Sequence, residues 1–299
     1  MRIFITGATG FIGSALVRRL LGEGHEVVAW VRNLERAAEQ LSDALTFVHT
    51  EASDEVLCDA LSTCDAVVNL AGAPVVARWT ESYREALVTS RVDLTQRLTA
   101  AMHARPVDVL ISSSAVGYYG DRGEERLSES SAPAEGFLAR LCIDWEDAAT
   151  QGAPPSCRVA ILRTGIVLGA GGGALDKMVL PFKAGLGGTL GSGRQIMPWI
   201  HLDDMVQIIV SALNDARYEG VFNASAPHPV SNRVFTKALG RALSRPTLLP
   251  VPVFGLKALY GEATGVLIAS QNAPPDALMR LGFDFKYPEV DDALSAIFS

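Results

Sequence analysis

An apolar strand pattern, Ile3-Phe4-Ile5, runs directly into Thr6-Gly7-Ala8-Thr9-Gly10-Phe11-Ile12-Gly13, and this junction constrains the fold more than any other stretch. Gly7, Gly10 and Gly13 are spaced as G-x-x-G-x-x-G, a variant of the dinucleotide fingerprint in which small residues let a diphosphate approach the backbone at a helix amino end. Three such glycines alone also describe an ordinary turn. The flanks decide between the two. Ile12, Leu16 and Leu20 follow at i, i+4 and i+8, Gly22 and Gly24 close that helix, and an apolar run from Glu26 to Val31 predicts a second strand. The spacing completes a βαβ unit within about 30 residues. No Gly-Lys-Ser/Thr ending follows the glycines, which excludes a P-loop.

Composition narrows the partner. With a formal net charge of −7 and no cluster of Lys and Arg, the chain does not fit a nucleic-acid partner. At 299 residues and 48% apolar content it can bury a substantial core, as one large domain or two lobes. It shows neither a signal-peptide pattern nor an apolar run of about 18 residues, so the expectation is a soluble cytoplasmic protein with no membrane contact. Cys58, Cys64, Cys142 and Cys157 form no C-x-x-C pair, which fits reduced thiols. His25, His49, His103, His201 and His228 are scattered with no metal-ligand spacing, so no metal is expected.

After the second strand stands Val31-Arg32-Asn33. An acidic residue there takes a ribose 2′-OH, whereas an arginine can pair with a 2′-phosphate, so Arg32 points to NADP unless it is a plain surface arginine. Phe47-Val48 predicts a short third strand and Ala52 to Leu61 a helix. Ala66 to Gly72 reads as a strand ending in small residues, which leaves room for a ligand at the sheet's carboxyl edge. Trp79 to Met102 reads as one helix carrying Arg91 on its inner side, where the cation needs either a cofactor diphosphate or an ordinary carboxylate. Val109-Leu110-Ile111 leads into Ser112-Ser113-Ser114, followed by Tyr118 and Tyr119, where a serine hydroxyl could hold a substrate oxygen or simply sit in a loop. Phe137 to Ala149 predicts a helix and Val159 to Leu162 a sixth strand. The glycine-rich loop at Gly171-Gly172-Gly173 could hold phosphate or be mobile, and glycines 185 to 193 predict a flexible segment over the crevice. Asp203 is expected to cap the helix carrying Met205, Ile208, Ile209 and Leu213. The chain divides near Gly165, into residues 1–164 and 165–299, with some late elements returning to the first sheet.

These motifs together resemble the extended short-chain dehydrogenase/reductase superfamily: the Thr6–Gly13 stretch, Asn69-Leu70-Ala71-Gly72, the serine strand end, and Trp199-Ile200-His201-Leu202-Asp203-Asp204. More narrowly the chain is similar to epimerase-family proteins of the SDR39U1-like group. That similarity rests on Ser114 to Gly120, Leu141-Cys142 with Trp145-Glu146, Arg163 to Gly169, Asn223 to Pro227, and the tail's Gly282-Phe283 with Tyr287-Pro288. The resemblance implies an α/β fold, a Rossmann-like doubly wound parallel sheet with a smaller carboxyl-terminal α/β substrate lobe, and NADP(H) as cofactor. Carried over, cofactor contacts fall on Gly7, Thr9, Gly10, Phe11, Ile12 and Gly13 at the diphosphate. Val31 and Arg32 lie at the adenosine end, Leu70, Ala71 and Gly72 along the fourth strand, and Arg91 and Val167 nearer the nicotinamide. It also implies a small-molecule substrate, sugar-like by kinship with the epimerases, and leaves room for a homodimer.

The chain departs from the superfamily where its chemistry usually resides. Active members carry Tyr-x-x-x-Lys after the serine strand, whereas none of the six tyrosines here has lysine four places on. By distance from the serine strand the pair falls on Cys142 and Glu146. Two readings follow: an NADP(H)-dependent oxidoreductase or epimerase using Ser114, Tyr118 or Tyr119, and Glu146, or a non-catalytic NADP(H)-binding sensor. Cys142 also suits a plain apolar core position.

Overall fold

The computed structural model describes residues 1–41, 45–104, 107–248 and 250–299. Strand β1 (Arg2–Thr6) passes through the glycine turn into helix α1 (Phe11–Gly22), and β2 (Glu26–Val31) lies parallel to β1 with Ile3 opposite Val27. The βαβ unit therefore stands where the glycine spacing predicts it. Next come α2 (Leu34–Gln40), β3 (Thr46–His49), α3 (Asp54–Leu61) and β4 (Ala66–Asn69). Helix α3 starts at Asp54 rather than Ala52 because the Ser53 hydroxyl caps it, accepting from the Val56 N–H.

The stretch expected as one helix is α4 (Glu81–Val88) and α5 (Leu94–Met102) joined by a π-helical turn, Thr89–Asp93. Such a turn is wider than its α-helical neighbours and often marks a functional position. Here it carries Arg91. Strand β5 (Val109–Ala115), α6 (Phe137–Thr150) and β6 (Arg158–Thr164) follow. The carboxyl half contains β7 (Ile166–Leu168), α7 (Gly173–Lys183), β8 (Ile196–Met197), β9 (Trp199–His201), α8 (Leu202–Asn214), β10 (Gly220–Ala224), β11 (Val230–Ser231) and α9 (Asn232–Ala242). Helices α10 (Val253–Tyr260), α11 (Thr264–Ile268), α12 (Asp276–Leu281) and α13 (Val290–Phe298) end the chain.

The main sheet has seven parallel strands in the order β10-β6-β5-β4-β1-β2-β3. Alternate side chains serve its two faces. Ile3, Ile5, Val68 and Ile111 pack with Leu16 of α1 and Met205 and Ile209 of α8, while Phe4, Val67 and Leu110 pack with Leu57 of α3 and Leu98 of α5. The fold is thus the Rossmann-like doubly wound sheet, and its seventh strand comes from beyond residue 164. A third apolar cluster, around Leu175, Trp199, Phe235, Leu239 and Leu294, belongs to the carboxyl half. Strand order reverses between β1 and β4, which opens a crevice at their carboxyl ends. Among the described residues no helix is long and apolar enough to cross a membrane.

Two local expectations are corrected. The segment with glycines 185 to 193 is pinned: the Leu190 N–H donates to Asn232 Oδ1, the Gly191 N–H donates to the Val251 carbonyl, and the Val251 N–H donates to the Thr189 carbonyl. The cap of α8 is His201, whose Nδ1 accepts from the Asp203 N–H at 3.1 Å, while Asp203 sits in the first turn and its side chain meets Lys286. Asp203 lies past the corner where the chain enters the helix, so only His201 reaches the free N–H.

Burial holds the His201 imidazole below its ordinary value, with Asp203 opposing and Lys286 assisting. Unfolded chains therefore take up that proton first, and the cap's contribution is complete above about pH 6.5 and lost as pH falls below it. Urea unfolding of the wild type and His201→Asn between about pH 5 and 7 should show a flatter stability profile for the variant, since asparagine caps without titrating.

Candidate functional site

The crevice is built from two turns that touch. Gly7 has φ +70, and a Cβ there would come within 2.8 Å of the Leu70 carbonyl carbon. Thr6 fastens the pair from below: its hydroxyl donates to Asn69 Oδ1 at 2.7 Å and accepts from the Leu70 and Ala71 N–H groups at 3.1 and 3.0 Å. A Cβ on Gly13 would press into the Gly7 carbonyl oxygen, so α1 can start this close only with glycine. Gly10 is the cap residue of α1 and supplies no side-chain acceptor, and no acidic residue stands in the first turn. The Phe11, Ile12 and Gly13 N–H groups therefore meet no side-chain cap and no acidic residue of their own turn.

Thr9, Gly10, Phe11 and Ile12 line the exposed or half-buried lip of this turn, and Leu70, Ala71 and Gly72 line the facing one. The glycine-rich loop is packed rather than loose, because a Cβ on Gly169, Gly172 or Gly173 would strike the Phe11 ring. Val167 of β7, paired with Ile200, continues from β6. Val31 is buried at the end of β2, and Arg32 beside it is exposed, its carbonyl oxygen 2.9 Å from His49 Nε2.

Arg91 is 8% exposed and meets no carboxylate among the described residues. Its Nη2 donates to the Ala73 carbonyl at 2.8 Å, and its guanidinium lies 5.2 Å from the Trp145 ring centre. A Cβ on Gly72 would sit 3.0 Å from that guanidinium, which places the cation at the crevice wall. Burial lowers its proton affinity, and no neighbouring carboxylate restores it. The charge is compensated by neutral groups only, the Ala73 and Leu87 carbonyls, the Ser90 hydroxyl and the Trp145 ring.

Next to the crevice lies a buried polar cluster. Ser114 pairs in register with Arg163 on the adjoining strand. The Ser114 hydroxyl donates to Glu146 Oε1 at 2.6 Å, and Arg163 grips the same carboxylate at both oxygens, at 2.8 Å each. The pair is deeply enclosed, with side-chain exposures of 4% for Arg163 and 11% for Glu146. Burial works against the Arg163 charge, but the hydrogen bonds and charge of Glu146 more than offset it and raise its proton affinity. Arg163 also lies 3.4 Å from the Tyr118 ring centre. Tyr118 is half-buried, and among the described residues its hydroxyl has no protein partner. Tyr119 is a correction: it is 0% exposed, its hydroxyl donates to Asn223 Oδ1 at 2.7 Å and accepts from Arg163 at 3.0 Å, so it faces the core and not a substrate.

A family model described as the NAD dependent epimerase/dehydratase family matches residues 3–225. The chain belongs to that family. Residues 251–297 match a further model described only as a domain of unknown function, DUF1731. The chloroplastic homolog of epimerase family protein SDR39U1 from Arabidopsis thaliana is 42% identical over 304 residues, covering 99% of this chain and 86% of its own. The crystal structure of human epimerase family protein SDR39U1 (isoform 2) with NADPH is similar at TM-score 0.88 and 33% identity, across 99% of both chains. That of a nucleoside-diphosphate sugar epimerase from Corynebacterium glutamicum is similar at TM-score 0.80 and 33% identity, across 100% of this chain and 58% of that one. The SDR39U1-like resemblance of the motifs is thus shown over the whole length, and the protein is an SDR-type, NAD(P)-dependent epimerase-family member.

Within this epimerase-family chain the two helical positions to which sequence distance assigns the Tyr/Lys pair carry a thiol and a carboxylate, Cys142 and Glu146. Cys142 is 4% exposed, and burial, with Glu146 adding to it, pushes its thiol up to about 12. It is an inert core group at neutral pH. The cation beside Glu146 comes from the neighbouring strand β6, as Arg163. Sequence reading gave Arg163 no role, nor Asn223 or Glu129, whose carboxylate accepts from the Asn223 and Ala277 N–H groups. A signal was available: a charge inside a strand directly after a buried apolar run, Ala160-Ile161-Leu162-Arg163, requires a buried partner. Among the described residues no three His, Cys, Asp or Glu side chains group as metal ligands.

Removing one partner of the buried ion pair strands the other. Glu146→Leu should lower the unfolding free energy by about 3–5 kcal/mol, and Glu146→Leu combined with Arg163→Met should recover most of it. Urea denaturation of both variants reads the difference directly.

Proposed function

We propose that this protein binds NADP(H) along the crevice and catalyses hydride transfer at a hydroxyl-bearing carbon of a small, sugar-like substrate, as an oxidoreductase or epimerase. The glycine turn, the uncapped α1, Arg32 at the end of β2 and the carboxylate-free Arg91 support a phosphorylated dinucleotide. The nicotinamide, when bound, supplies a hydride acceptor or donor.

The observation that carries the chemistry is the direction of the Ser114 hydroxyl. It donates to Glu146, so its lone pairs are free to receive a proton. When a substrate alcohol is oxidised, its proton passes to Ser114 Oγ while the Ser114 proton moves to Glu146 Oε1. Reduction of a carbonyl runs the relay backwards. Tyr118, whose hydroxyl has no protein partner among the described residues, serves as the second donor to the substrate oxygen. Arg163 fixes the carboxylate so that one oxygen always faces the serine. The relay moves the proton without a phenolate, which removes the need for the missing lysine. An NADPH-bound human relative and a nucleoside-diphosphate sugar epimerase among the structural relatives support the cofactor and the substrate class.

Two measurements test this reading. Arg91→Met should weaken NADPH binding about tenfold while holding or raising the melting temperature, because it replaces a buried charge that lacks a carboxylate partner. A panel of carbonyl compounds and nucleotide sugars with NADPH should give turnover that Ser114→Ala removes by about 100-fold or more with NADPH affinity unchanged. Binding without turnover of any panel member would replace the enzyme reading with that of a cofactor-binding sensor.

A further inference from the structure

We infer that the outer side of the carboxyl half is a docking surface for an anionic membrane, on which the protein lies without crossing it. The expectation of no membrane contact rested on spanning-length runs, and a protein bound at the lipid headgroups needs none. Between Glu219 and Glu262 the chain has no acidic residue and five basic ones, Arg233, Lys237, Arg241, Arg245 and Lys257, although the whole chain carries −7. The first four stand four residues apart, so they fall along one side of α9 and its end. The exposed residues of α9 are Arg233, Val234, Lys237 and Arg241, while Phe235, Ala238 and Leu239 face the core. Arg241 meets Asp291, whereas among the described residues Lys237, Arg245 and Lys257 meet no carboxylate. A cavity of about 420 Å³ opens between Lys237, Arg241 and Arg245 and offers their charges to a headgroup phosphate.

The apolar part of the surface points to the same ligand independently. Helix α9 ends in a tight turn in which the Ser244 and Arg245 N–H groups donate to the Arg241 and Gly240 carbonyls, with Ser244 at φ 52. The chain then returns beside the helix. A Cβ on Gly240 would strike Thr247, and Val251 bonds Thr189 and Gly191, close to Gly193, whose carbonyl accepts from the Arg233 N–H. This brings Leu248 and the start of α10 onto the side that carries the bases. Leu248 is 83% exposed, and Phe254 and Leu259 of α10 are 78% and 68% exposed. Leu256 is the one buried residue of that helix, so α10 rests on the protein by a single side chain. Large apolar groups that project singly line no groove for a folded partner. They suit a fluid interface that closes around them, and the flanking cations suit its negative charge.

The test uses the full chain and sedimentation with vesicles of phosphatidylcholine alone or with about one-third phosphatidylserine. The wild type should bind the anionic vesicles about tenfold or more tightly than the neutral ones, and about 0.5 M salt should release it. Leu248→Ser combined with Phe254→Ser should weaken binding about tenfold, and Lys237→Glu combined with Arg245→Glu about as much, with NADPH affinity and melting temperature unchanged in both. Absence of binding to anionic vesicles overturns the inference, as does binding that both variants keep. Equal affinity for neutral and anionic vesicles removes the role of the bases and overturns it too. Self-association that Phe254→Ser abolishes, without vesicle binding, makes the patch a contact between copies of the chain instead.

Discussion

The close approach of two backbone turns is the constraint on which this molecule depends. The turn after β1 and the turn after β4 meet without intervening side chains, because Gly7 adopts a left-handed conformation and leaves no room above Leu70. The Thr6 hydroxyl binds Asn69 and the two N–H groups of the facing turn, so neighbouring strand ends are held as one rim. Asn69 extends the link to Thr95 and Ser112, and Trp145 reaches the same Thr95 hydroxyl from α6. A buried, fully bonded network of this kind fixes geometry more than it adds stability. It sets the distance between the uncapped amino end of α1 and the strand that carries the serines.

From that rim the site divides into regions of contrasting electrostatics. Arg91 is a buried cation with neutral acceptors only, a condition an anionic ligand would relieve. Arg163 is equally buried but fully paired, and so belongs to the protein's own framework. Two arginines with similar burial thus have opposite consequences, and their partners are what separate them. The Arg163 pair also connects the serine strand to distant chain: Arg163 reaches the Glu129 carbonyl, and the Glu129 carboxylate holds Asn223 and Ala277. The carboxyl-terminal segment therefore braces the site from behind. Ser270 and Asn272 reinforce that brace by bonding the loop at Asp121 to Leu127.

A cysteine at position 142 and a glutamate at position 146 are coherent with this framework. A glutamate at that helical position would be a liability beside a phenolate, yet it suits a serine that donates to it and an arginine that neutralises it.

The sequence by itself determined the βαβ start, the glycine turn, the serine-bearing end of β5 and the family, because these depend on spacing along the chain and on residues that tolerate only one backbone geometry; it ran β4 three residues too far, to Gly72 rather than Asn69. It also marked Arg32 and Arg91 as cations in need of partners. Only the tertiary structure decided which partners exist. The π turn under Arg91, the inward turn of Tyr119, the capping of α8 by His201 and the union of Ser114 with Arg163 all arise from contacts between residues far apart in the chain. Periodicity reports which face of an element is buried; it carries no record of which neighbouring strand or helix supplies the group that face will meet.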